Sequence, residues 1–259
     1  MVMVLARVAL ALIAYFVVLG CPTMAKLEKR VAIYFSGRMS CAAVDFLPNL
    51  EKLEQEALNM TGFMVKVNLF VATEYSLFNF SNVAYKPPAA VFLHNYTVSA
   101  NEWNITNKHP ETNVERAILS MYNNAKAFQL ISTSGVQYDV VVKYRSDVCA
   151  SSLLPPDFWS SLKTGFSDTE LHVPCCAHSP TFPCCDYGGL NDQIAYGSFA
   201  VMHDYSALFT ELNNLLSSGT VFHPETLLRD HIRSTKHALI RPVFNYSLDL
   251  RRFSGNCKK

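Results

Sequence analysis

Apolar positions along the chain fall into two kinds of block. VAIYF (Val31–Phe35), MVKVNLFVAT (Met64–Thr73) and VVVKY (Val140–Tyr144) are nearly continuous in aliphatic and aromatic residues, the pattern of strands covered on both faces. Elsewhere the apolar residues recur at helical spacing. Leu47, Leu50, Leu53 and Leu58, with Glu and Lys between them, predict a helix over Ala43–Met60. Pro48 falls in its first turn, where a missing N–H costs nothing. Val114, Ala117, Ile118, Met121, Ala125, Phe128 and Ile131 predict a second helix over Asn113–Ser132, ended by Gly135. AVFLH (90–94) reads as a short strand-like piece and IAYGSFAVM (194–202) as a further strand. His223-Pro224-Glu225 opens a helix that turns Leu227, Leu228 and Ile232 inward.

Strand, helix, strand, a variable region, helix, strand: that order implies parallel strands joined by crossover helices. The expected class is α/β, with a mostly parallel central sheet flanked by helices and with Val31–Phe35, Val65–Val71 and Val140–Tyr144 as neighbouring central strands. A chain of 259 residues, 50% hydrophobic and without a convincing linker, suits a single domain over residues 26–259. The formal net charge of +1, with no long basic run, argues against a nucleic-acid partner.

Residues 1–25 differ from the rest. Val8–Gly20 carries no charge, the length of a signal-peptide apolar core, and Thr23-Met24-Ala25 supplies small residues for cleavage. Counting back to Val2 lengthens the run toward a membrane anchor, so cleaved signal and retained anchor both stand. Asn-x-Ser/Thr sequons at Asn59, Asn79, Asn95, Asn104 and Asn245 agree with a secretory route: the ER or Golgi lumen, membrane-anchored, or secretion. The doublets of PCCAHSPTFPCC (Pro174–Cys185) offer two readings. Zinc, with His178 between them, would need the wider spacing that presents two sulfurs from one turn. Disulfides to distant partners suit an oxidising compartment better.

Chemistry concentrates at the strand ends. Ligands of open parallel sheets bind outside the carboxyl ends of the strands. Two strands here finish in Ser36-Gly37-Arg38 and Arg145-Ser146-Asp147. Residues two apart in extended chain point the same way, so Arg145 and Asp147 can face one site. Arginine grips phosphate bidentately, a carboxylate holds a Mg²⁺ or Mn²⁺ that bridges to a diphosphate, and Gly37 admits close backbone approach. The plain alternative is a solvated strand end with an internal Arg–Asp pair.

YDVVVKYRSDV (138–148), LNDQIAYGSFAVMHDY (Leu190–Tyr205) and HPETLLRDHI (His223–Ile232), preceded by a helix bearing Met121-Tyr122, resemble in order and spacing a glycosyltransferase-like family. Its members occur in lipopolysaccharide synthesis, in algae and in large algal viruses. The resemblance implies a nucleotide-sugar-binding fold of the GT-A type, a nucleotide-sugar donor, and a glycan or lipid acceptor. It makes the tip after Tyr144 the counterpart of a metal-binding D-x-D, although Arg145 stands where the first acid belongs. It further implies Gly37, Arg38, Arg145 and Asp147 at the donor, Asp147 and His223 as ligands of a Mn²⁺ or Mg²⁺ ion, and Asp192 as catalytic group toward the acceptor hydroxyl. Asp192 could equally be a capping residue, and Glu225 a helix-start acid favoured by the dipole. The alternative function is a secreted or membrane-anchored non-catalytic binding protein on the same fold.

Overall fold

The computed structural model describes residues 28–37, 50–74, 88–103, 105–145, 148–150, 154–155, 157–174, 189–235, 239–243 and 248–250. The leader, Arg38, Pro48, Asp147, the cysteine doublets with His178, and the sequons at Asn79, Asn104 and Asn245 lie outside these residues.

The strands are β1 (Glu28–Ser36), β2 (Met64–Glu74), β3 (Ala90–His94), β4 (Val140–Arg145), β5 (Val148–Ala150), β6 (Glu170–Pro174), β7 (Ile194–Gly197), β8 (Leu239–Val243) and β9 (Leu248–Leu250). The helices are α1 (Leu50–Thr61), α2 (Val114–Thr133), α3 (Phe158–Thr164), α4 (Phe199–Ser206), α5 (Leu208–Ser217) and α6 (Pro224–Ser234). The protein has an α/β fold. Among the described residues seven strands form one mostly parallel sheet in the order β3-β2-β1-β4-β7-β6-β8, and β5 pairs with β9 in a separate small ladder. The three runs expected to be central are neighbours, β2-β1-β4, all parallel. AVFLH is the strand β3, parallel to β2. Strand β7 is antiparallel to both β4 and β6, an exception that the sequence did not signal.

The expected strand over 194–202 is corrected: it stops at Gly197. Ser198 then caps α4, its Oγ accepting a hydrogen bond from the Val201 N–H. A serine that satisfies an orphan donor of the first turn is a helix start, whatever the apolar residues on either side. Asn113 does the same for α2, accepting from Arg116 N at 2.9 Å.

Two apolar layers sandwich the sheet, and the strand pleat assigns residues to them alternately. Val31, Ile33 and Phe35 of β1 join Val140, Val142 and Tyr144 of β4 under Leu53 and Ala57 of α1 and Phe158 and Leu162 of α3. Ala32 and Tyr34 join Val141 under α2, α4, α5 and α6. The β1–β4 register is pinned at its start: Asp139 N donates to the Arg30 carbonyl at 2.9 Å, and Arg30 N returns a bond to the Asp139 carboxylate at 2.8 Å. Among the described residues no helix is long and apolar enough to cross a membrane.

Ile33 is fully buried at the centre of this arrangement. Ile33→Ala is expected to cost about 2–5 kcal/mol through lost burial and the cavity left behind. Urea denaturation should show it as a lower midpoint at unchanged slope; a loss under about 1 kcal/mol would mean that the central strands do not carry the core.

Candidate functional site

The chain runs from β1 out to β2 and β3 on one side, then returns to place β4 on the other side of β1. That reversal opens a crevice between the carboxyl ends of β1 and β4, the place where open α/β sheets bind ligands. Here it is a cleft of about 650 Å³. Its floor comes from the register Tyr34 opposite Lys143 and Ser36 opposite Arg145. Lys143 and Arg145 lie two apart, so both point to the face that Val141 shares with α2, α4, α5 and α6. Gly37, at φ 99°, turns the chain away from β1 in a conformation that favours glycine, and its N–H donates to the Ala72 carbonyl at 3.1 Å.

Asp192 arrives from the segment before β7. Its carboxylate accepts from Arg145 Nη1 at 2.9 Å, with the two side chains 21% and 23% exposed. Its main-chain carbonyl accepts a hydrogen bond from Lys143 Nζ, and Lys143 is only 4% exposed. Burial pushes the Asp192 carboxyl up, but the charges of Arg145 and Lys143, with the Arg145 hydrogen bond, outweigh it and hold the group below the ordinary carboxylate range. Arg145 N also donates to the Gln193 carbonyl at 2.8 Å, so backbone and side chain of Arg145 are tied to the same segment.

Close packing fixes that segment in turn. Leu190 N donates to the Glu225 carbonyl at 3.0 Å, and the Asn191 side chain accepts from Gln193 N at 2.8 Å. Gly189 lies directly on the first turn of α6: a Cβ there would sit 2.4 Å from Glu225 Cβ and 2.6 Å from its carbonyl carbon. No larger residue fits without moving backbone.

The walls are helix ends. Asn113, Arg116 and Ala117 at the start of α2, and His223, Pro224 and Glu225 at the start of α6, line the cleft, so two positive macrodipole ends open on it. The His223 ring packs edge-on against His109, centroids 5.7 Å apart. Beneath the floor, Tyr34 OH donates to Asn124 Oδ1 at 3.0 Å, which leaves Ser206 Oγ to donate to the Tyr34 oxygen at 2.9 Å. Burial pushes the Tyr34 and Tyr205 phenols up, so both stay neutral.

Of the residues singled out from sequence, Gly37, Arg145, Asp192 and His223 line this one cleft. Asp147 and Arg38 lie outside the described residues. Lys143 was missed as a site residue because it sits inside a run read as buried strand; its two-residue offset from Arg145 was the available signal. The Asp192 carboxylate, expected to face an acceptor, is engaged by Arg145. Glu225 stands in the first turn of α6, where the dipole favours an acid.

A divalent cation asks for several oxygen donors of negative charge. The described cleft presents Lys143 and Arg145 with Asp192 against them, and Glu74, Glu111 and Glu225 elsewhere in its lining. Among the described residues no group of three or more His, Cys, Asp or Glu is placed to hold a metal, and no third such residue joins His109 and His223.

Fold and cleft together define an α/β protein with a charged crevice at the strand-order reversal, lined by Arg116, Lys143 and Arg145 and by Glu74, Glu111, Asp192 and Glu225. No family model matches the chain, and no curated protein matches it either. Among solved structures, the crystal structure of a glycosyltransferase involved in the glycosylation of the major capsid of PBCV-1 is similar at TM-score 0.40 and 10% identity, over 82% of each chain. Likeness of that degree does not by itself establish a common fold.

Gly189→Ala is expected to lower stability by about 1–3 kcal/mol, as overpacking against backbone does, measured by urea denaturation. An unchanged midpoint would show that Gly189 does not hold the segment against α6. The Arg145–Asp192 pair predicts an acid-side effect. A carboxyl whose folded pKa lies below its unfolded value of about 3.9 stabilises fully above that value. The contribution is lost as pH falls through the folded pKa. Asp192→Asn should therefore melt lower than wild type near neutrality, and the gap should close below about pH 4. A gap constant with pH would mean that the pair adds no net stability.

Proposed function

We propose that the chain is a glycosyltransferase of the GT-A type, moving a sugar from a nucleotide-sugar donor to a hydroxyl of a glycan or lipid acceptor in the secretory pathway. The observation that carries this reading is the position of the cleft at the strand-order reversal, large enough for a small ligand, with Arg145 held by Asp192 and Lys143 at its floor. The three sequence blocks that resemble glycosyltransferases supply the strand and turn segments of that cleft: the end of β4, the approach to β7 and the start of α6. The leader and the sequons support the compartment and leave open a membrane anchor.

In this reading the donor diphosphate lies over Arg145, with Arg38 as a second cation and Gly37 allowing close approach. Asp147 faces the donor ribose or a metal ion. Asp192 orients Arg145, and a carboxyl held low by two cations is a weak base toward an acceptor hydroxyl. Transfer forms a bond from the acceptor oxygen to the anomeric carbon and breaks the bond from that carbon to the diphosphate oxygen, which leaves with the electron pair. The acceptor proton passes to solvent or to a neighbouring base. Catalysis comes from positioning the two partners and from neutralising the leaving diphosphate.

A thermal-shift and hydrolysis screen of nucleotide-sugars tests this. At least one donor should stabilise the protein and be consumed when an acceptor is supplied. Arg145→Lys keeps the charge but loses the planar fork, so affinity for that donor should fall by roughly 10- to 100-fold, the size of a charge-assisted hydrogen bond. No response to any nucleotide-sugar would favour the non-catalytic binding protein.

A further inference from the structure

We propose that Asn95 carries an N-linked glycan, and that its first sugar covers Leu93 on the outer side of the edge strand β3. The modification rests on the secretory route and not on the transferase chemistry of the cleft.

From Leu93 to Ala100 the chain alternates in exposure residue by residue, the mark of extended backbone. His94, Tyr96, Val98 and Ala100 are the inward members; Leu93, Asn95, Thr97 and Ser99 are the exposed ones. The inward row is firmly held. Tyr96 N donates to His94 Nδ1 at 3.1 Å, which leaves His94 Nε2–H to donate to the buried Asn123 side chain. The Tyr96 ring packs on Tyr122 with centroids 4.4 Å apart, and Val98 and Ala100 pack against the core. A pinned inner row thus displays an outer row that bears both chemical groups of the sequon, the Asn95 amide and the Thr97 hydroxyl.

Asn59, the other sequon asparagine among the described residues, is presented differently. It lies in the last turn of α1, its Oδ1 accepting from Gln55 Nε2 at 3.2 Å. Its Thr61 is 6% exposed and donates its hydroxyl to the Ala57 carbonyl at 2.6 Å. In the folded chain that hydroxyl serves the helix, whereas Thr97 faces out.

The sheet edge supplies a reason for the glycan's place. Among the described residues β3 and β8 are the two edges of the large sheet. An open edge pairs with other chains unless charge, proline or bulk prevents it. Strand β8 has Arg241 and Pro242, but β3, AVFLH, has neither a proline nor an acid, lysine or arginine. Its Leu93 is 36% exposed and stands two residues before Asn95 in the same outer row, about 6.6 Å along extended chain. A sugar on Asn95 Nδ2 reaches back over Leu93, laying its apolar ring face on the side chain and its hydroxyls in water. The step needs a lipid-diphosphate oligosaccharide and its transferase. A bond forms from the Asn95 side-chain nitrogen to the anomeric carbon, and the bond from that carbon to the diphosphate oxygen breaks. The lipid diphosphate leaves with the electron pair, and the amide proton passes to a base of the transferase.

The full chain, residues 1–25 included, made in a secretory host whose N-glycans stay rich in mannose, tests this. Enzymatic release of an N-glycan converts its asparagine to aspartate, which peptide mass reads. Asn95 should be converted in the majority of molecules, should stay unmodified in Thr97→Ala, and should be converted again in Thr97→Ser. Unmodified Asn95 in chains glycosylated at another sequon overturns the proposal and leaves the secretory route standing. No glycan at any sequon overturns both, while the nucleotide-sugar screen still decides the transferase chemistry. Melting tests the seat on Leu93. Trimming the glycan to its first sugar should leave the melting temperature unchanged, and Asn95→Gln should lower it by about 2–4 °C, a small stability loss for a chain of this size. In a Leu93→Ser background that gap should shrink by more than half. A gap of the same size there, or none in the wild-type background, overturns the contact with Leu93.

Discussion

A lysine buried in the central strand of a seven-stranded sheet is the constraint around which the site is built. Lys143 is 4% exposed, and an ammonium taken from water costs several kcal/mol unless it is met by acceptors. Asp192 meets it through a main-chain carbonyl, whose position depends on backbone rather than on a rotamer. The segment 189–193 must therefore stay where it is. It is held there by the Leu190–Glu225 hydrogen bond and by Gly189 lying against the first turn of α6. Meeting one buried charge thus joins the end of β4, the approach to β7 and the start of α6 into a single corner.

The same face of the sheet changes character in steps of two residues along the β1–β4 register. Ala32 faces Val141, both apolar and buried; Tyr34 faces Lys143; Ser36 faces Arg145. Between apolar core and charged floor lies the hydrogen-bonded set of Tyr34, Asn124 and Ser206, drawn from β1, α2 and α4. Such a layer gives the buried Tyr34 hydroxyl its partners where the sheet passes from oil to charge. The opposite face stays apolar to its end, closing with Phe35 against Tyr144 at 5.7 Å. One face keeps the sheet together while the other is left for chemistry.

This asymmetry explains what the sequence disclosed and what it hid. Central strands were legible because burial on both faces produces unbroken runs such as VAIYF, and α2 was legible because its apolar residues repeat at helical spacing. Asn123 and Asn124 of α2 are as buried as its apolar face, yet they escape a hydrophobic period because one reaches His94 and the other the polar layer under the cleft. The break between β7 and α4 was hidden inside the apolar string IAYGSFAVM, where only Ser198 marks the cap. Half of the floor was visible as well: Arg145 and Asp192 stood out as charges at element ends. That they bind one another, rather than facing separate ligands, depends on a contact across 47 residues that no local pattern records.

The ion pair also decides how Arg145 can be used. Because Asp192 is held below the ordinary carboxylate range, it stays ionised through the whole neutral region and Arg145 keeps its partner there. The guanidinium is therefore set in direction by the fold itself, so the ordering of a long side chain is already met in the free protein. A lysine in its place would carry the same charge with a freer head and no fork. At position 143 the order of preference reverses, because the ammonium is buried at the cleft floor and already directed by a carbonyl, so a compact point charge suffices. Arginine at the rim, directed by a carboxylate, and lysine beneath it, directed by a carbonyl, thus fix two charges in the same corner by different means.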